Sequence, residues 1–126
     1  MTAPGVLIVD DEAANGQMLV EGLDEAGWEA SAATGMGEAI ALLQSGRYDV
    51  VVCVIRMDNG DGFDLLRAVR AGASPVPVIL MSSFGNEETS RRALAAGAFA
   101  YLAKPFELDQ LLPLVERARG ETSRSR

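Results

Sequence analysis

The chain has 126 residues, of which 48% are hydrophobic, and its formal net charge is −7. This is enough apolar material for one domain with a continuous core, and it differs from the composition of a disordered segment. The acidic charge opposes direct nucleic-acid binding, which requires clustered Lys and Arg, and the absence of His removes the commonest general base and metal ligand.

The cysteine content and the apolar runs predict a cytoplasmic location without membrane contact. One cysteine, Cys53, cannot form a disulfide framework, so nothing requires an oxidising compartment, and we expect a buried thiol. The first five residues have no basic character, and no apolar stretch approaches the roughly 20 residues that span a bilayer.

Short apolar runs alternate with longer segments of helical periodicity along the chain. Strands are predicted at residues 6–9, 29–32, 50–55, 77–81 and 100–102, and helices at 12–26, 34–43, 63–71, 87–96 and 108–119. The run 50–55 is the most β-branched and predicts the central strand. The inward face of the first helix is expected to contain Met18, Leu19, Leu23 and Ala26, and Thr34 is expected to cap the second helix.

This alternation predicts the fold class and one domain. With short connections and right-handed crossovers, it indicates a doubly wound α/β fold, with a five-stranded parallel sheet covered by helices on both faces. Pro113 should kink the last helix or delay its start, because proline has no backbone N–H. We expect one domain over residues 1–120, followed at 121–126 by a polar tail that is frayed or begins a linker.

Polar residues follow the predicted strands at their carboxyl ends, where parallel sheets have their sites. Asp10 and Asp11 follow the first strand, Ser82 the fourth and Lys104 the fifth. Taken singly, the aspartates could be helix caps and the lysine a surface residue. Their joint position favours one acidic pocket, since phosphoryl transfer requires oxygen ligands for Mg²⁺, a cation and a hydroxyl donor close together.

Four segments, in this order, resemble the receiver domain of bacterial response regulators. They are residues 6–12 (VLIVDDE), 48–57 (YDVVVCVIRM), 77–83 (PVILMSS) and 101–106 (YLAKPF). The resemblance covers almost the whole chain and implies a flavodoxin-like (βα)5 fold with strand order 2-1-3-4-5. It also implies phosphorelay signalling, in which a histidine kinase passes a phosphoryl group to an aspartate after the third strand, assisted by Mg²⁺.

The same resemblance implies a role for each polar residue of the pocket. Asp10, Asp11 and the backbone carbonyl of Arg56 would bind Mg²⁺, Ser82 and Lys104 would hold the phosphoryl oxygens, and Tyr101 would be a switch coupled to Ser82. The Lys104–Pro105 peptide would be cis. The face made by the fourth helix, fifth strand and fifth helix would carry homodimer or effector contacts.

The sequence departs from the family at the acceptor position. Where the family has Asp-Ile-Arg-Met, this chain has Val54-Ile55-Arg56-Met57. Valine has no nucleophilic or metal-binding oxygen, so an aspartyl phosphate cannot form there and Mg²⁺ should bind only weakly. Lys104 should then pair with Asp10 or Asp11. The positions of Asp49, Asp58 and Asp61 do not favour any of them as a substitute acceptor.

Three functions are therefore considered. The first is a receiver-like domain that is not an enzyme and binds a histidine kinase or another signalling protein. The second is an ordinary phosphorylatable receiver with an introduced Asp-to-Val substitution at position 54, which the sequence does not separate from the first. The third, an aspartate-based phosphatase, is disfavoured because residues 10–14 (DDEAA) lack the Asp-x-Asp-x-Thr pattern.

Overall fold

A computed structural model describes residues 3–57, 60–72, 76–83 and 86–125 and contains one parallel sheet. The strands of this sheet are β1 (Gly5–Val9), β2 (Glu29–Ala33), β3 (Val50–Val54), β6 (Val78–Ser82) and β7 (Ala100–Ala103). Two short strands between β3 and β6, namely β4 (Arg56–Met57) and β5 (Gly60–Asp61), form a separate antiparallel pair. The spatial order is β2-β1-β3-β6-β7. Counted over these five strands alone, this is the predicted order 2-1-3-4-5, so the fold class is confirmed.

Helices cover both faces of this sheet. They are α1 (Ala13–Glu25), α2 (Met36–Ser45), α3 (Gly62–Arg70), α4 (Glu87–Ala95) and α5 (Leu108–Ser125). One core cluster joins alternate strand residues such as Ile8 and Val52 to Leu23 of α1 and Leu111 of α5. A second cluster lies on the opposite face, against α3 and α4. Because the sheet is buried on both sides, its central strands are continuous apolar runs instead of alternating ones.

The contact between α1 and α5 explains a glycine inside a helix. A Cβ atom added to Gly22 would lie 2.6 Å from Leu108 Cδ2. Glycine costs a helix interior roughly 0.5–1 kcal/mol relative to alanine, and here it allows close packing of the two helices.

The inward face predicted for α1 is partly wrong. Leu23 is fully buried and Leu19 is partly buried, but the Met18 side chain is 63% exposed and Ala26 is also exposed. The face that packs on the sheet begins at Gly16, which is buried. Residues two apart on a helix do not share a face, so Met18 points away from the core.

The ends of two helices differ from the prediction. Gly35, not Thr34, is the N-cap residue of α2, and the backbone N–H of Thr34 donates to Glu38 Oε1 over 2.9 Å. Helix α5 contains Pro113 but starts at Leu108, as placed from the sequence, so its start is not delayed and the alternative of a kink stays a prediction. The helix continues through residues 121–125, which were expected to form a tail. Proline removes one backbone hydrogen bond from the helix. Burial of the apolar face of α5 against the sheet offsets this loss.

In the part of the chain that the structure describes, no helix combines the length and the apolar character needed to cross a membrane.

Candidate functional site

A pocket of about 290 Å³ lies at the carboxyl ends of the central strands. Its lining residues are Asp11, Glu12, Val54, Arg56, Met81, Ser82, Ser83 and Lys104. The structure thus brings together most of the residues selected from the sequence. Glu12, Met81 and Ser83 also line the pocket, although no role was assigned to them. The Met81 position follows from strand register, since it pairs with Val54.

Backbone hydrogen bonds continue past the strands and hold this rim together. The N–H of Ile55 donates to the carbonyl of Met81 over 2.9 Å, and the N–H of Lys104 donates to the carbonyl of Ser82 over 2.9 Å. The parallel ladder therefore extends into the loops that carry the pocket residues. The backbone beside Lys104 is fixed relative to Ser82, and the Lys104–Pro105 peptide is cis, as predicted.

Asp10 lies beneath the pocket and is only 1% exposed. Its Oδ1 atom accepts the backbone N–H of Glu12 over 3.0 Å, just before α1. Its Oδ2 atom accepts a hydrogen bond from Lys104 Nζ over 2.8 Å. The contact predicted between Lys104 and one of the two aspartates is therefore made with Asp10, while Asp11 is exposed.

Val54 forms an apolar part of this otherwise polar pocket. It is the last residue of β3, is 5% exposed and belongs to the core cluster that includes Ile8 and Met81. The start of α3 lies close behind it, since the N–H of Gly62 donates to the carbonyl of Ile55 over 2.7 Å. A Cβ atom at Gly62 would lie 2.6 Å from the Val54 carbonyl oxygen. The end of β3 therefore requires glycine at this point.

The nearby carboxylates considered as substitutes have structural partners. Asp61 caps α3 by accepting the N–H of Asp64, and the Asp64 side chain accepts the N–H of Asp61 in return. Asp49 accepts the N–H of Gly5 over 2.8 Å, at the opposite end of β3. Asp58 lies outside the described residues. Both described carboxylates therefore have a structural role in holding the backbone.

The Cys53 thiol is not an alternative nucleophile. It is fully buried, and its Sγ donates to the Val54 carbonyl over 3.2 Å. Burial, followed by the negative charges of Asp10 and Asp61, raises the pKa of this thiol far above its ordinary value. The thiolate is the reactive form of cysteine, so this residue is chemically inert in the folded protein.

The residues of this pocket provide few carboxylate ligands for a Mg²⁺ ion. Both carboxylate oxygens of Asp10 already have donors, and Val54 contributes no oxygen. Over the described ranges, no three acidic, His or Cys side chains come together as ligands for a metal ion. Mg²⁺ requires near-octahedral oxygen coordination and dehydrates reluctantly, and the lining offers it two exposed carboxylates, Asp11 and Glu12.

Tyr101 does not line this pocket. Its partly buried ring packs against the core cluster on the α3 and α4 side of the sheet. Its hydroxyl oxygen is buried and has no hydrogen-bond partner among the described residues. The ring is therefore turned into the protein, an orientation that the sequence did not determine.

Comparison with known proteins identifies the family. Residues 6–116 match the family described as the response regulator receiver domain. The chain is 40% identical over 113 residues to regulatory protein AtoC of Escherichia coli (strain K12), a match that covers 90% of this chain and 24% of AtoC. The chain thus spans about a quarter of the length of that relative.

Solved structures agree with this match. The receiver domain of the Francisella response regulator 1452 has a TM-score of 0.87 and 32% identity, covering 94% of this chain and 98% of that one. The beryllofluoride-activated NtrC4 receiver domain, described as a dimer, has a TM-score of 0.87 and 28% identity, with coverage of 94% and 98%. This chain belongs to the receiver domain family of response regulators, which are signalling domains of two-component systems.

Proposed function

We propose that this domain signals through protein–protein contacts and does not accept a phosphoryl group at position 54. The observation that carries the proposal is the Val54 side chain, which lines the same pocket as Asp11, Ser82 and Lys104. A hydrocarbon cannot attack a phosphoryl group, and the surrounding residues cannot change that. The partner is a histidine kinase or another signalling protein, and Mg²⁺ binds at most weakly.

Two features of the surrounding residues support this proposal. The described carboxylates closest in sequence, Asp49 and Asp61, are each engaged with the backbone. The thiol next to Val54 is held in its neutral form, because burial raises the pKa of Cys53. A phosphoryl group that entered the pocket would find an ammonium and a hydroxyl to hold it, but no carboxylate at position 54 to accept it.

Mass spectrometry after incubation with acetyl phosphate and Mg²⁺ tests the proposal. We expect no mass increase in the unmodified chain, and a labile increase of one phosphoryl group in Val54→Asp. Val54→Asn is the matched control, because it is close in size to aspartate but lacks the nucleophilic carboxylate. A phosphoryl group on the unmodified chain would refute the proposal.

The Val54→Asp result does not separate a natural valine from an introduced substitution. A pocket that regains phosphorylation through one change is compatible with a natural receiver that lost its acceptor and with an artificially altered one. The codon at position 54 of the source gene separates the two. A valine codon supports the natural non-phosphorylated receiver, and an aspartate codon excludes it.

We further propose that the face formed by α4, β7 and α5 binds a second copy of this chain. The related NtrC4 receiver is described as a dimer, which supports a self-association surface in this fold. Helix α4 exposes Leu94, which is 50% exposed, and also exposes the charged residues Glu87, Glu88 and Arg91. An exposed apolar residue on the same helix as exposed charges of both signs suits pairing of two identical surfaces.

Sedimentation velocity over a concentration series tests this surface. Arg91→Glu should weaken self-association, because it replaces one sign of charge beside Leu94 with the other. Arg47→Glu is the control, since it makes the same charge change on an exposed residue before β3. Equal association of both variants and the unmodified chain would contradict the assignment.

A further inference from the structure

The pocket contains a cation supplied by the protein itself. Lys104 Nζ lies 2.8 Å from Asp10 Oδ2, and the side chains are 17% and 0% exposed, respectively. The other oxygen of Asp10 accepts the N–H of Glu12 over 3.0 Å. The buried carboxylate is therefore paired with the Lys104 ammonium and hydrogen-bonded at both oxygens.

A divalent cation would have to compete with this ammonium group. Coulomb attraction strengthens as the effective dielectric constant falls, so the buried pair is held more firmly than a surface pair. A metal ion that reached Asp10 would displace Lys104 and then be repelled by it. Its other carboxylate ligands would be limited to Asp11 and Glu12 at the rim, because the Val54 side chain has no oxygen.

We infer that Lys104 is the resident cation of this pocket and that its ammonium group excludes divalent metal ions from Asp10 and Asp11. This inference rests on the proposed function, in which Val54 leaves the pocket without an acceptor carboxylate. It is independent of the proposed partner surface. It means that the charge state of the pocket does not follow the cellular Mg²⁺ concentration. A partner then meets the same pocket whether or not the ion is present.

Isothermal titration with MnCl₂ and MgCl₂ tests the inference on the whole chain. The unmodified protein should give no saturable binding, and its thermal midpoint should not respond to Mg²⁺. Lys104→Met removes the ammonium but keeps the apolar stem. It should bind Mn²⁺ saturably, at least about tenfold more tightly than the weakest binding that the titration can detect for the unmodified protein, comparable to the effects of residues that adjoin metal ligands.

Three further variants separate exclusion by charge from a general effect on folding. Lys104→Arg keeps the cation and should remain unresponsive to metal. Lys104→Met combined with Asp11→Asn should lose the metal binding gained by the single variant. Lys104→Met combined with Asp10→Asn removes the buried charge, so it should fold without metal and show no midpoint shift with Mg²⁺.

Each outcome decides the inference. Saturable Mn²⁺ binding by the unmodified chain overturns it, and if that chain also takes no phosphoryl group, the proposed function is untouched. If Lys104→Met folds only when Mg²⁺ is present, and not in NaCl of equal ionic strength, the inference is supported. If it folds in neither, the inference is overturned, because a metal ion able to reach Asp10 would have neutralised the buried charge.

Discussion

Trp28 Nε1 donates a hydrogen bond to Glu116 Oε1 over 3.1 Å, and this contact joins the segment between α1 and β2 to α5. The Trp28 side chain is only 4% exposed and belongs to the same core cluster as Leu111 and Val54. Glu116 is exposed, so the bond links the core to the outer side of α5. The indole therefore reports on the packing of α5 against the face of the sheet that contains Val54.

Removing the acceptor from this bond should destabilise the domain. In Glu116→Ala, the buried indole N–H loses its partner, and we expect the free energy of unfolding to fall by about 1 kcal/mol. Glu116→Gln keeps an oxygen acceptor and should lose much less. Urea titrations followed by the fluorescence of Trp28, the single tryptophan of the chain, measure both variants. Equal losses in both would show that the hydrogen bond is not the cause.

The close approach of α3 to β3 gives a second prediction. Gly62→Ala would put a Cβ atom 2.6 Å from the Val54 carbonyl oxygen and 3.0 Å from Leu80 Cδ2. We expect a loss of roughly 1–3 kcal/mol of unfolding free energy, because backbone must move to relieve the overlap.

Gly16→Ala is the control for this substitution. A Cβ atom at Gly16 would make an ordinary contact of 3.7 Å with Ala32 Cβ, and the residue lies within α1. Alanine should therefore stabilise the domain by roughly 0.5–1 kcal/mol, through helix propensity alone. Calorimetric melting of both variants should give shifts of opposite sign, and a stable Gly62→Ala protein would contradict the argument.

The sheet and the position of the pocket could be predicted because they depend on local patterns. Buried parallel strands leave continuous apolar runs such as 50–54 and 78–81, and the carboxyl ends of such strands meet at one edge. The choice of the residues of α1 that face the core could not be predicted so well. Its buried face begins at Gly16, which has no side chain to contribute to the apolar periodicity, and Met18 was assigned inward in its place.

Contacts between distant residues were harder to predict from the sequence. The choice of Asp10 over Asp11 as the partner of Lys104 depends on which carboxylate is buried, and both follow the same strand. The bond from Trp28 to Glu116 joins residues 88 positions apart, and no local pattern indicates it. The roles assigned to Ser82 and Tyr101, weak Mg²⁺ binding and a cytoplasmic location stay predictions.

Tyr101 provides a third prediction. Its buried hydroxyl has no hydrogen-bond partner among the described residues. Such a group destabilises the folded state, because burial removes its hydrogen bonds to water and no others replace them. Tyr101→Phe removes the hydroxyl and keeps the ring, so the free energy of unfolding should rise by about 1 kcal/mol. Tyr48→Phe, at the other tyrosine, should change it little. A loss of stability in Tyr101→Phe would mean that the hydroxyl has a partner in solution.

The buried thiol of Cys53 should lower the free energy of unfolding of the domain at alkaline pH. Burial raises its pKa far above the ordinary value of 9.0. Well below pH 9 the thiol is protonated in both the folded and the unfolded states and contributes almost no pH dependence. Above that pH the unfolded chain loses the proton while the folded chain keeps it. This favours unfolding by about 1.4 kcal/mol for each further pH unit.

Cys53→Val removes the ionisable group and nearly preserves its volume, so it should remove this part of the pH dependence. Urea titrations at pH 7, 9 and 10 measure the free energy of unfolding of both proteins. The difference between them should be constant from pH 7 to about 8 and should then shift in favour of the valine variant by about 1.4 kcal/mol at pH 10. Parallel curves over the whole range would mean that the thiol ionises as readily in the folded protein as in the unfolded chain.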